Sequence, residues 1–100
     1  NMFSQESTKK IIPYCKKNKI KVWGRMPLAK GLLSGKYKNI NSLGVNDFRF
    51  TNDKKISKEI IDFAFKNKID TSIALKWSEK NSDAIIIGVK DLKQLKSILK

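Results

Sequence analysis

The chain has 100 residues, a formal net charge of +13 and 40% apolar content, which suits one small domain or a segment of a larger one. No apolar run is long enough to cross a membrane, and a single cysteine, Cys15, excludes an internal disulfide. The basic excess is 20 Lys against only two Arg, spread along the chain beside 13 Ile and eight Asn. That is a general Lys-rich surface, whereas sequence-reading nucleic-acid binders concentrate Arg in clusters.

In chain order, the opening NMFSQESTKK lacks the basic-then-apolar order of a secretory leader, so the expected location is cytoplasmic. Ile11, Ile12 and Cys15 are at helical spacing and predict a helix over 8–18, capped by Ser7 or Thr8. Pro13 must then lie in the first turn, where its missing N–H is not needed. Residues 20–23 read as a strand. Residues 26–53 read as a long loop with three glycines, and loops of that length are often functional.

Asp53 is expected to cap a helix over 54–67 whose apolar stripe is Ile56, Ile60, Ile61, Ala64 and Phe65. Asp70 opens another helix to about Lys80, burying Ile73, Ala74 and Trp77. Residues 84–87, Ala-Ile-Ile-Ile, are continuously apolar and end at Gly88, as expected of a strand buried on both faces of a parallel sheet. Asp91 then caps a helix carrying Leu92, Leu95, Ile98 and Leu99. The order predicts an α/β fold with parallel strands joined by right-handed crossovers. Two strands leave edges uncovered, so further barrel strands or another chain are expected to complete the sheet.

The stretch RMPLAKGLLSGKY, at 25–37, resembles the loop after the seventh strand of aldo-keto reductases. AIIIGVKDLKQLKSIL, at 84–99, resembles that family's last strand, glycine turn and following helix, and IALKW, at 73–77, resembles its Ala-Leu-x-Trp helix. The three occur in family order across essentially the whole chain. The resemblance implies the C-terminal part of a (β/α)8 barrel, residues 1–100, that binds NADP(H) and reduces small carbonyl compounds. It implies that Arg25, Met26, Pro27, Leu28, Ala29 and Lys30 drape along the nicotinamide and pyrophosphate. Lys36 and Arg49 would supply cations to phosphate. Gly88, Lys90 and Gln94 would hold the adenosine end, with Lys90 near the 2′-phosphate. Met26 stands where the family often has Ser, and Ile98 where it often has an adenine-binding Asn.

Each residue also has a plainer reading. Asp91 and Gln94 make a D-x-x-Q capping box, Gly88 ends a strand, and Lys36 and Lys90 are two lysines among 20. No catalytic residue is assigned. The family's Asp, Tyr, Lys and His come from earlier strands, the chain has no His, and neither Tyr14 nor Tyr37 matches the catalytic tyrosine. No metal-ligand spacing, nucleophile elbow or Walker loop is present. The expected function is an NADP(H)-dependent carbonyl reductase to which this chain contributes the cofactor loops. The alternatives are an inactive or regulatory module with a partial NADP site, and a basic nucleic-acid binder.

Overall fold

The computed structural model describes residues 1–99. The chain forms five α-helices and a parallel two-stranded sheet: α1 (Ile11–Lys17), β1 (Trp23–Gly24), α2 (Phe48–Thr51), α3 (Lys54–Lys66), α4 (Thr71–Lys80), β2 (Ala84–Ile85) and α5 (Leu92–Ile98). Short 3-10 turns occupy Glu6–Thr8 and Ile40–Ser42. β1 and β2 pair with Trp23 opposite Ala84 and Gly24 opposite Ile85. Being parallel, both strands point their C-terminal ends, and the loops that follow, to the same side.

Local chemistry accounts for most helix ends. Pro13 is the third residue of α1, within its first turn, so the helix tolerates it. Asp70 accepts the Ile73 N–H at 2.9 Å and Asp91 the Gln94 N–H at 2.7 Å, so α4 and α5 carry the expected caps. The other two caps differ from expectation. α1 has no side-chain cap, because the Thr8 hydroxyl instead donates to the Gln5 carbonyl within the preceding 3-10 turn. Asp53 precedes α3 without capping it, and its carboxylate pairs with Lys30 at 3.3 Å.

The C-termini of α1 and α3 repeat one device. Each ends in Asn-Lys-Ile, at 18–20 and 67–69, with the lysine in the left-handed region (φ 58° at Lys19, 52° at Lys68). The isoleucine N–H then reaches back to Cys15 at 2.8 Å in α1 and to Ala64 at 2.9 Å in α3. This is the Schellman arrangement, formed here with lysine where glycine is usual.

The main correction concerns residues 26–53, expected to be a loop. They supply much of the core: Ala29, Leu32, Leu33, Ile40 and Leu43 are buried, against Ile60, Ile61 and Ala64 of α3 and Ile69 and Ala74 beyond it. Irregular backbone does not prevent burial when turns satisfy the polar groups, and here the Leu32, Leu33 and Ser34 amides all donate to nearby carbonyls.

The stripes also shift. In α3, Ile56 and Phe65 face solvent while Ser57 is buried; in α4, Leu75 and Ser78 are buried, Trp77 is half-buried and Ile73 is exposed. The last strand was expected to span 84–87 with both faces covered. It is two residues long with Ala84 exposed, because pairing with β1 covers only two residues and α4 is the main helix packed against it.

Candidate functional site

The two turns that follow β1 and β2 face each other across a cleft of about 560 Å³. Arg25, Met26, Pro27, Leu28 and Lys30 line one wall, and Gly88, Lys90 and Gln94 line the other. Ile86, Ile87 and Val89 add apolar surface. A second cleft of about 630 Å³ shares Leu28, Lys30, Gly31, Lys90 and Gln94 with the first and carries Lys36 and Arg49. Ten of the eleven sequence-predicted residues thus gather along one continuous depression at the C-terminal ends of the strands. The eleventh, Ala29, turns its side chain into the core.

The 25–31 wall has an unusual backbone. Met26, Ala29, Lys30 and Gly31 all have positive φ, at 51°, 49°, 60° and 84°. Only glycine adopts that region freely, so a side-chain-bearing residue there costs about 1–2 kcal/mol. Buried residues hold the segment, Pro27 and Ala29 within it and Leu32 and Leu33 directly after it. The Asn1 amide donates to the Met26 carbonyl at 3.2 Å. On the facing wall, the space where a Gly88 β-carbon would project is open, so chain packing makes no demand for glycine there.

Cations ring the depression but differ in availability. Lys30 pairs with Asp53 and lies 4.6 Å from the Phe48 ring centroid. Lys36 lies 5.8 Å from the Tyr37 ring. Arg49 is more committed. It donates from Nε to Asp47 Oδ1 at 2.9 Å, and from Nη2 to Asp47 Oδ2 at 2.6 Å and to the Tyr37 hydroxyl at 3.1 Å. Its Nη1 donates to the Lys30 carbonyl at 2.8 Å. Hydrogen bonding from the Arg49 side chain, then from its backbone N–H, holds the Asp47 carboxyl down at about 2, against an ordinary 3.8. The same bond raises the Arg49 pKa further above its ordinary value.

Gln94 is a capping residue in this structure. Its Oε1 accepts the Lys90 N–H at 2.7 Å while its own backbone N–H goes to Asp91 at 2.7 Å, and the residue lines the cleft. Sequence reading missed Asp47 and Tyr37, the partners of Arg49. The spacing Asp47-Phe48-Arg49 carried the signal: an N-cap carboxylate two residues before an arginine can take both its backbone and side-chain N–H groups.

A family model described as the aldo/keto reductase family matches residues 1–100. The chain belongs to the aldo/keto reductase family. No curated protein and no solved structure matches it. The aldo/keto reductase fold is a (β/α)8 barrel, and the parallel pair with its five helices forms an incomplete sheet of that architecture. In such barrels the working face is where strand C-termini meet the βα loops. The depression described above occupies that face. Aldo/keto reductases are oxidoreductases that use NAD(P)H on carbonyl substrates. Among the described residues no group of His, Cys, Asp or Glu could hold a metal ion, and no helix is long and apolar enough to cross a membrane.

Proposed function

We propose that this chain is the C-terminal segment, residues 1–100, of an NADP(H)-dependent carbonyl reductase and supplies part of the cofactor site. The observation that carries this reading is the convergence of the 25–30 and 88–94 segments on one cleft at the C-terminal side of the parallel pair. A dinucleotide phosphate needs cations for its phosphates, apolar walls for its rings and room for close backbone approach. The cleft offers Arg25, Lys30, Lys36 and Lys90 for the first, Met26, Leu28 and Val89 for the second, and the open space at Gly88 for the third.

The bound nicotinamide supplies the hydride that reduces the carbonyl. The residues here bind and orient. Arg25 lays a planar guanidinium at the end of β1, suited to stacking on an aromatic ring. Lys90, beyond β2, would offer a point charge to the 2′-phosphate. The Leu28 backbone would lie beside the pyrophosphate. The family's proton donor and its partners lie on earlier strands, so no proton transfer is assigned to this chain.

Fluorescence titration of the chain with NADPH tests the reading. Saturable binding is expected, tighter than for NADH, with Lys90→Ala removing that preference by about tenfold, the value of one charged contact. Gly88→Ala is expected to leave the unfolding midpoint unchanged and weaken NADPH, since its β-carbon meets no protein atom within 4 Å. Absence of any NADPH binding at millimolar concentration would overturn the proposal.

A further inference from the structure

We propose that Arg49 is a positioning residue: it clamps the left-handed turn at 29–31 that walls the cleft, and it does not itself ligate the cofactor. Its functional meaning rests on the NADP(H) reading above, but the clamp stands on geometry of its own.

Three consecutive residues, Ala29, Lys30 and Gly31, have positive φ. Two of them carry side chains, so the conformation persists only where surrounding contacts enforce it. The middle residue is the one Arg49 grips, through Nη1 to the Lys30 carbonyl at 2.8 Å. The guanidinium is in turn fixed on its other edges by both oxygens of Asp47 and by the Tyr37 hydroxyl, and it lies 5.1 Å from the Tyr37 ring centroid. Asp47 is itself anchored, because Oδ1 also accepts the Arg49 backbone N–H at 2.9 Å to cap α2.

Four of the five guanidinium hydrogens are therefore committed: one on Nε, one on Nη1 and both on Nη2. A bidentate carboxylate 2.6 Å away offsets the charge. Phosphate would meet a neutralised pair with a single free hydrogen. Lys30, Lys36 and Lys90, on the same depression, present less encumbered charge.

Two substitutions separate clamp from ligand. Asp47→Asn keeps the size and the N-cap but removes the negative charge. If Arg49 were a phosphate ligand, that change would release its cation and tighten NADPH binding. A clamp loosens, and binding weakens by about tenfold. Arg49→Lys keeps the charge but cannot form the fork. A ligand role predicts near-retention of affinity, and a clamp predicts a loss comparable to that of Asp47→Asn. Tyr37→Phe, which removes only the hydroxyl, is the milder member of the series should either variant fold poorly, and is expected to weaken NADPH in the same direction.

Amide hydrogen exchange reads the clamp without any ligand. The Leu32, Leu33 and Ser34 amides bond to the Ala29, Leu28 and Gly31 carbonyls and close the turn. In the variants these amides are expected to lose protection selectively, with α3 unchanged. Unaltered protection at 32–34, or tighter NADPH binding by Asp47→Asn, would overturn the proposal. If the unaltered chain binds no NADPH, the cofactor reading fails, and the exchange data still decide the clamp.

Discussion

Two positions with left-handed backbone pull in opposite directions under substitution. Lys68 closes the Schellman turn of α3 at φ 52°, with no protein group requiring its side chain there. Lys68→Gly relieves the clash between Cβ and carbonyl, and the gain exceeds the extra entropy glycine loses on folding. Stability is expected to rise by about 1 kcal/mol in urea unfolding. Gly35 adopts φ 78°, and a β-carbon there would come within 2.7 Å of the Ile69 carbonyl oxygen. Backbone cannot retreat as a side chain can, so Gly35→Ala is expected to lose about 2 kcal/mol in the same assay. Asp47 adds a pH signature. Its folded pKa, about 2, lies below the ordinary 3.8, so the unfolded chain takes up the proton first as acid is added. The stabilisation is whole above 3.8 and is lost as pH falls towards 2. Asp47→Asn should flatten that part of an acid-unfolding profile; an unchanged slope would show that the Arg49 contact carries no linkage.

At the level of elements, two aspartates that looked alike in sequence behave differently. Asp70 and Asp53 both precede helices, but only Asp70 has extended backbone, at φ −123° and ψ −180°, that lets its side chain reach the Ile73 N–H. Asp53, at φ −117° and ψ 33°, lacks that geometry and pairs with Lys30. Asp70→Ala is therefore expected to lower stability by about 1 kcal/mol, and Asp53→Ala by at most a few tenths, as for an exposed ion pair. Double-referenced thermal unfolding would separate them, and equal losses would contradict the assignment. The pair also shows what the sequence could disclose. Helix positions and the parallel order were legible because 3.6-residue periodicity and a four-residue apolar run report local geometry. The burial of Leu32 and Leu33 was not, since it depends on consecutive left-handed residues that no periodicity encodes. The membership of the cleft followed from motif order, because parallel strands fix which side their following loops share. The fate of Arg49 did not, because it turns on a carboxylate two residues away whose direction only the short α2 turn determines.

The molecule as a whole is uneven in how firmly it is held. Its radius of gyration of 14.5 Å exceeds the ~13 Å of a compact chain this long, and its extents are 45 × 30 × 23 Å. The core joins the 29–43 segment to α3 and the residues just beyond it, whereas α1 and α5 bury no residue. Trp23 on β1 is 68% exposed and Leu92 on α5 is 64% exposed. Local stability follows buried apolar contact, so exchange should divide the chain. Amides of α3 and of 32–34 are expected to exchange slowly, and those of α1, β1, β2 and α5 by low-energy opening. NADPH would bridge the 25–30 and 88–94 walls, and a ligand stabilises whatever must be closed to bind it. Its addition is therefore expected to slow exchange across 86–98, where Gly88, Lys90, Gln94 and Ile98 border the depression, while leaving α1 unaffected. Protection confined to 25–30, with 86–98 unchanged, would mean that the second wall takes no part in holding the dinucleotide, and the two-walled site would have to be abandoned.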